Sequence, residues 1–180
     1  MNTMRNYFLF ILIIMAIFQL KVASADNSLI MRADEFISLL KNHNYKEGAQ
    51  FFHYPENYNA TKLVADQTAI STKLGLLFEK IGEIETINQS PFPAENYIAI
   101  GLGGGDVPYW SSHPELNQNI QAVYRVKTKH ISDALIVIYF VQIKDNWEIR
   151  SFHFEIPTLR PDAMKLAEEL TKLLYTNYPK

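Results

Sequence analysis

Apolar side chains recur at three- and four-residue steps between residues 59 and 81, which is typical of an amphipathic helix. The apolar stripe consists of Leu63, Ile70, Leu74, Leu77, Phe78 and Ile81. Asn59 or Thr61 can cap the helix by accepting a backbone N–H. Gly82 can end it, because glycine adopts positive φ freely. The pattern predicts one long helix with one buried face.

Shorter helical patterns lie on either side of this segment. Residues 34–41 and 45–53 carry apolar positions at helical spacing, and the polar break at residues 42–44 separates them. A C-terminal helix is predicted over residues 161–178. Pro161 suits its start, where the missing N–H costs nothing.

From residue 83 the spacing changes to that of β-strands. Strands are predicted over residues 83–87, 97–102, 120–130, 134–143 and 147–156. Residues 144–146 form a tight hairpin link. The glycine-rich segment 101–106 opens a long stretch that is expected to be irregular up to Asn119, and residues 107–110 are not expected to start a clean helix.

The order of these elements predicts the fold class. Helices that precede a run of strands indicate an α+β fold. We expect the N-terminal helices to pack on a curved, mainly antiparallel sheet that forms a cone, with the C-terminal helix added. A pocket is expected between the long helix and the sheet.

The first 25 residues have the layout of a secretory signal peptide. Arg5 precedes an unbroken apolar run over residues 8–18, and Ala23-Ser24-Ala25 supplies a cleavage site. The run is shorter than the roughly 20 residues that span a bilayer. The sequence predicts export, removal of residues 1–25 and a single domain over residues 26–180 with no membrane anchor. An uncleaved anchor is the alternative.

Cysteine is absent from the chain, so neither disulfides nor a lipid attached through cysteine can form. An exported domain without cysteine favours a periplasmic location, with secretion as the alternative. The net charge of −2 becomes more negative when Arg5 and Lys21 leave with the signal peptide. This weak acidity argues against nucleic-acid binding, which needs a basic face.

Two segments carry a resemblance to a known family. Residues 36–49, FISLLKNHNYKEGA, resemble the opening helices of the nuclear-transport-factor-two-like superfamily, whose fold is the cystatin-like cone. Residues 139–154, YFVQIKDNWEIRSFHF, resemble its last hairpin, with Asn146 in place of the usual turn glycine. The closest resemblance is to exported bacterial members of unknown function. The superfamily includes isomerases, dehydratases, polyketide cyclases and non-catalytic binding or dimerising domains, so the resemblance does not select an activity.

Alternation along the last strand predicts which side chains share a face. One predicted face carries Trp147, Ile149, Ser151, His153 and Glu155, and the other carries Glu148, Arg150, Phe152, Phe154 and Ile156. If the first set points into the cone, His153 is a candidate acid–base group with Tyr124 or Tyr97 as a hydrogen-bond donor. The alternative is a histidine that is bonded within the sheet or at its surface.

The predicted ligand-binding residues line the cone or its mouth. They are Tyr97, Tyr109, Trp110, Tyr124, Trp147, Ser151 and His153. Tyr109 and Trp110 follow the glycine-rich segment and could form an aromatic lip, or could simply pack. No metal and no cofactor are predicted, because His153 and Glu155 lack a third zinc ligand and Asp106 stands where a dinucleotide fingerprint needs glycine.

The remaining polar candidates have simpler interpretations. His43, His53 and His113 are expected to be exposed in loops or at helix ends. A basic row on the predicted strand over residues 120–130 consists of Arg125, Lys127 and Lys129. It is expected to face solvent, with an acidic partner or an anionic ligand as the alternative.

No paired catalytic signature is visible in the sequence. The prediction is therefore an exported, non-catalytic module that binds a small ligand or an envelope protein, and that can form a homodimer. The alternative is a small acid–base isomerase or lyase that uses a pocket histidine. A third hypothesis is that the C-terminal helix docks a partner.

Overall fold

The computed structural model describes residues 27–90, 96–103, 107–116 and 120–175. The predicted signal peptide, residues 104–106 of the glycine-rich segment and the part of the predicted C-terminal helix beyond residue 175 lie outside the described residues. Within the described ranges, no helix combines the length and the hydropathy that a membrane crossing requires.

Within the residues that the structure describes, three helices precede the strands, as predicted, although their bounds differ. The helices are α1 (residues 27–41), α2 (Tyr45–Ala49) and α3 (Ala60–Ile81). The elements that follow are β1 (Ile84–Gln89), β2 (Tyr97–Gly103), α4 (Val107–Ser112), a 3-10 turn (Pro114–Leu116), β3 (Ile120–Thr128), β4 (Ala134–Ile143), β5 (Asn146–Pro157) and α5 (Ala163–Tyr175).

The five strands form one sheet in the order β1-β3-β4-β5-β2. Every neighbouring pair is antiparallel. The prediction of an α+β fold, with helices before a mainly antiparallel sheet and one helix after it, is confirmed. The cone shape stays a prediction.

Local signals set both ends of α3. The side chain of Asn59 accepts a hydrogen bond of 2.8 Å from the backbone N–H of Lys62, which is an N-cap. Gly82 ends the helix with φ of 82° and ψ of 174°, a conformation that only glycine adopts readily. The helix buries Ile70, Leu74, Leu77, Phe78 and Ile81 against the core.

Helices cover one face of the sheet. The largest fully buried side chains there include Phe36 of α1 and Phe140, Phe152 and Phe154 of the sheet. The rings of Phe36 and Phe152 meet edge to face, with centroids 5.9 Å apart. Helix α5 contributes Ala163, Ala167, Leu170 and Leu174 to the same core. The apolar side of α5 is therefore part of the core.

The face prediction for the last strand is wrong beyond Ile149. Tyr139 pairs with Ser151, but the next residue, Phe140, pairs with Ile149, so Arg150 is an extra residue on β5. This β-bulge reverses the alternation. Trp147 and Ile149 face the helices, and so do the aromatic residues that follow the bulge.

Ser151, His153 and Glu155 therefore lie on the face opposite the helices, which we call the second sheet face. The apolar residues of this face are Val123, Leu135 and Val137, with Tyr97 and Tyr139 packed beside them. The ring of His153 lies 4.8 Å from that of Tyr139. On the other side it covers Gly101, where an added Cβ would come within 3.0 Å of the imidazole.

Two ionisable groups of the second sheet face are pushed toward their neutral forms. Burial lowers the pKa of His153, and nearby Arg150 lowers it further. Burial also raises the pKa of Glu155, which is 8% exposed. Both shifts favour the uncharged state, as expected for groups that pack beside valine, leucine and tyrosine.

The basic row on β3 faces solvent, as predicted. Arg125 makes two hydrogen bonds to the carboxylate of Asp133, at 2.8 and 2.9 Å. Lys127 lies 2.6 Å from Glu85. Lys129 is also exposed. Exposed pairs of this kind contribute little to stability, because water screens the charges and ordering the side chains costs entropy.

We expect Gly82→Ala to lower the free energy of unfolding by about 1–3 kcal/mol, because a side chain at this φ and ψ is strained. An added Cβ would also approach the Cβ of Lys129 to 2.6 Å. Urea denaturation measures the change. Gly75→Ala is the matched control: it lies inside α3, its added Cβ meets Tyr45 at an ordinary 3.5 Å, and it should stabilise by up to about 1 kcal/mol. Equal effects of the two substitutions would contradict this account.

We expect Glu155→Gln to raise the free energy of unfolding at pH 7. Because the folded pKa of Glu155 lies above its ordinary value, its carboxylate form opposes folding, and this penalty disappears as the pH falls and the group is protonated. The advantage of the glutamine variant should shrink over the same pH range in urea titrations. The exposed Glu85 provides the control, since Glu85→Gln should change stability by about 0.5 kcal/mol or less. A pH-independent advantage would count against the explanation.

Candidate functional site

Two different segments share one edge of β5. Its C-terminal half pairs with β2, from Gly103 opposite Ser151 to Tyr97 opposite Pro157. Its N-terminal half is bridged in parallel by the chain that follows α2, with Phe52 opposite Ile149. The N–H of His53 donates to the carbonyl of Ile149 at 2.8 Å, and the N–H of Ile149 donates to the carbonyl of Phe51 at 2.7 Å. This short bridge fixes His53 beside β5.

The prediction that His53 is exposed is wrong. His53 is 3% exposed, and both of its ring nitrogens are hydrogen-bonded. Nδ1 lies 2.8 Å from Oε2 of Glu148, and Nε2 lies 2.7 Å from Oη of Tyr109. An ionised carboxylate only accepts, so we assign the proton to Nδ1; in the neutral imidazole Nε2 then accepts from the Tyr109 hydroxyl. We call this arrangement the Glu148–His53–Tyr109 chain.

Aromatic rings enclose the imidazole of this chain. The rings of Tyr109 and Trp110 each lie 5.5 Å from the ring of His53. The guanidinium carbon of Arg150 lies 5.2 Å from the centroid of the Trp110 ring, a cation–π contact. The bulge residue of β5 thus covers the indole that covers His53.

Helix α4 carries Tyr109 and Trp110, so the prediction that no helix begins at residues 107–110 is wrong. A proline in the first turn of a helix removes an N–H that has no partner within the helix, which explains why Pro108 is tolerated. At the other end of α4, the hydroxyl of Ser112 donates to the carbonyl of Tyr109 at 2.9 Å. This bond steadies the last turn.

His113 is half-buried beside Tyr109, and the two rings lie 4.4 Å apart. Its Nδ1 lies 2.9 Å from the carbonyl oxygen of Tyr109. A carbonyl only accepts, so this nitrogen carries the proton and Nε2 of the neutral ring is the acceptor. The prediction of an exposed His113 is only partly right, whereas His43 is exposed and bonds to Tyr45 at 2.9 Å.

A cleft of about 760 Å³ opens beside the Glu148–His53–Tyr109 chain. Its lining includes Tyr58, Lys62, Tyr109, His113, Leu116 and Ile143, together with His53. The ammonium of Lys62 lies 4.0 Å from the centroid of the Tyr58 ring. This cation–π contact stabilises the position of one aromatic side chain of the cleft. This volume is in the range of small-molecule sites, about 300–1,000 Å³.

Glu148, at the other end of the Glu148–His53–Tyr109 chain, lines a second cleft. That cleft has a volume of about 500 Å³ and is also lined by Ser28, Arg32 and Trp147. The side chain of Glu148 is 33% exposed, whereas that of His53 is 4% exposed. The Glu148–His53–Tyr109 chain therefore joins two clefts through a buried imidazole.

The structure brings together only part of the predicted set of ligand-binding residues. Tyr109 and Trp110 meet at His53. Tyr97, Ser151 and His153 lie on the second sheet face instead. These three residues do not line the cleft beside His53.

The other two predicted residues lie in the hydrophobic core. Tyr124 donates to the carboxylate of Asp34 at 2.7 Å, and burial together with this bond raises its pKa. Trp147 donates from Nε1 to the hydroxyl of Ser28 at 3.1 Å. Their side chains fill the space between the helices and the sheet where the sequence predicted a pocket.

Sequence reasoning did not identify two members of the Glu148–His53–Tyr109 chain, His53 and Glu148. It also did not identify the other residues that line the cleft, among them Tyr58, Lys62, His113, Leu116 and Ile143. Among the residues that the structure describes, no group of three or more histidine, aspartate or glutamate side chains is arranged to hold a metal ion. The resemblance to the nuclear-transport-factor-two-like superfamily rests on residues 36–49 and 139–154. No family model, no curated protein and no solved structure matches the chain.

Proposed function

We propose that this chain is an exported, periplasmic ligand-binding module of the nuclear-transport-factor-two-like type. The ligand site in this proposal is the cleft beside the Glu148–His53–Tyr109 chain. One observation carries it: a histidine that is 3% exposed, bonded at both ring nitrogens, forms part of the wall of a cleft of about 760 Å³. The lining combines aromatic and aliphatic side chains with polar ones, which include Glu56, Asn57, Lys62 and Ser112. Small-molecule sites use polar groups among apolar and aromatic walls to orient a ligand.

The chemistry of the walls indicates the class of ligand. The Tyr109 proton is directed to His53, so its oxygen can accept from a ligand, and Nε2 of neutral His113 is also an acceptor. Tyr58, Tyr109 and His113 offer flat rings, while Leu116 and Ile143 are aliphatic. This combination suits a small aromatic molecule that carries a hydroxyl or amino donor.

Phenol, catechol and aniline are the probes that test this proposal, compared with the O-methyl ethers anisole and 1,2-dimethoxybenzene. We expect the donors to shift amide resonances of the cleft, and the ethers to bind about tenfold more weakly because they cannot donate. Tyr109→Phe should weaken catechol binding about tenfold, equivalent to about 1.4 kcal/mol. Tyr175→Phe, outside the cleft lining, is the matched control.

Titrations followed by 1H–15N correlation spectra measure these affinities and also identify the residues that respond. Shifts confined to the second sheet face, or equal binding of catechol and 1,2-dimethoxybenzene, would be evidence against the proposed site.

A second candidate function is acid–base catalysis. The order hydroxyl, imidazole, carboxylate favours it, because a base that is oriented by a carboxylate is a common catalytic arrangement. The group for this function is His53 and not His153, since His153 packs on the second sheet face between Tyr139 and Gly101.

Export is the part of the proposal that rests on residues 1–25. When the full chain is expressed in a Gram-negative bacterium, we expect the protein in the periplasmic fraction with Asp26 at its N-terminus. Ala25→Arg should block cleavage, because the site needs small residues, whereas Ser24→Ala should leave it intact. Mass spectrometry of the purified protein measures the N-terminus. Retention of residues 1–25 in a membrane fraction would instead support an uncleaved anchor.

A further inference from the structure

The two clefts meet at a hydrogen-bonded chain whose order matters. The Tyr109 hydroxyl donates to Nε2 of His53 at 2.7 Å, and Nδ1 of His53 donates to Glu148 at 2.8 Å. A hydroxyl on a base that a third group orients is the arrangement of activated nucleophiles, and tyrosine is one of the side chains that act in this way. His53 itself is buried and its Nε2 is occupied, so the atom that can reach a cleft-bound molecule is Oη of Tyr109.

We propose that Tyr109 is a nucleophile and that the cleft accepts aryl esters, whose acyl group is transferred to Oη of Tyr109. The inference rests on the proposed function, because an aryl ester is a derivative of the phenols that the cleft is proposed to bind. The aromatic and aliphatic side chains that line the cleft would hold the aryl group beside Oη of the half-buried Tyr109.

The acyl transfer to Tyr109 conserves atoms and charge without a cofactor. Oη of Tyr109 attacks the carbonyl carbon as the phenolic proton moves to Nε2 of His53, and the Glu148 carboxylate stabilises the imidazolium through Nδ1–H. The bond between the acyl carbon and the aryl oxygen then breaks. The leaving aryl oxide takes the proton from His53, so that an ester and tyrosine become acyl-tyrosine and a phenol. Transfer is downhill when the leaving phenol is more acidic than tyrosine.

A second tyrosine–histidine pair in the chain provides an internal comparison. Tyr45 bonds to Nδ1 of His43 at 2.9 Å, and Nε2 of His43 lies 3.8 Å from Glu83. The side chains of His43 and Glu83 are 53% and 76% exposed. The residue types are the same and Tyr45 is half-buried, but the histidine is exposed to water and the carboxylate is beyond hydrogen-bond distance. Tyr45 should therefore react more slowly than Tyr109.

The test uses p-nitrophenyl acetate and protein purified after expression of the full chain. Release of p-nitrophenolate gives the rate, and peptide mass spectrometry locates the acetyl group. We expect Tyr109 to be acetylated on the order of 10²-fold faster than Tyr45, in line with the usual contribution of a positioned base. Tyr109→Phe should abolish the fast phase. His43→Gln, which is outside the cleft lining, should leave the rate at Tyr109 unchanged.

Two variants examine the positioned base separately. His53→Gln should slow acetylation of Tyr109 on the order of 10²-fold. Glu148→Gln retains an oxygen that can accept from Nδ1, so it is the variant to rely on if His53→Gln does not fold. It should slow the reaction on the order of tenfold or more, because an amide stabilises the imidazolium less than a carboxylate does.

The outcomes separate this inference from the proposed function. If acetylation simply follows exposure, with Tyr175 or Tyr45 as fast as Tyr109, the proposal that Tyr109 is an activated nucleophile is wrong. An unchanged rate in both His53→Gln and Glu148→Gln would contradict it equally. Catechol binding measured on the same sample decides the rest. If catechol binds but Tyr109 is not acetylated selectively, the binding site is supported and only the role of Tyr109 as a nucleophile is contradicted. If neither is observed, both proposals are contradicted.

Discussion

The parallel bridge between residues 51–53 and β5 is the constraint on which the candidate site depends. Only two backbone hydrogen bonds form it, both to Ile149. They nevertheless determine which atoms can meet, because they hold the imidazole of His53 within 2.8 Å of the carboxylate of Glu148. Without this bridge the chain after α2 would have no backbone partner on β5, and His53 would have no fixed position relative to either partner of its ring.

The bridge also explains the division of the β5 edge. Residues 51–53 occupy its N-terminal half and β2 occupies its C-terminal half, and the extra residue Arg150 lies at the change between them. A bulge increases the local twist and redirects side chains. Here it keeps Ile149 and Phe152 on the same side of the sheet, and it leaves Arg150 over the indole of Trp110. The bulge at Arg150 therefore keeps the apolar side chains of β5 in the core and also places Arg150 over the indole that packs on His53.

Sequence alone predicted the parts of the fold whose causes are local. Asn59 and Gly82 lie within a few residues of the helix ends that they set, so the bounds of α3 could be predicted closely. The bulge at Arg150 could not, because it follows from the register between β4 and β5 and from the second segment that shares the edge of β5. Strict alternation consequently assigned His153 to the wrong face.

The site shows the same division. Tyr109 and Trp110 were found because aromatic residues after a glycine-rich segment are conspicuous. His53 was missed, although the apolar pair before it and Pro55 after it favour an extended segment over a helix end. Glu148 lies between two core residues, Trp147 and Ile149, and alternation alone would give any polar side chain there an outward position. Nothing local connects it with His53, since the two are brought together only by the bridge.

Burial is what distinguishes the Glu148–His53–Tyr109 chain from the His43 pair on the surface. At the surface, water competes for each hydrogen bond and screens the charge of the carboxylate, so a histidine and a glutamate at 3.8 Å interact weakly. At His53 the same residue types lie within hydrogen-bond distance, and the side chain of the histidine is 4% exposed. Low local polarity strengthens such bonds and makes an unpaired group expensive, so each member of the chain restricts the proton positions of the next. The burial that fixes this order of donors and acceptors is therefore also what would give the Tyr109 oxygen a defined role toward a molecule in the cleft.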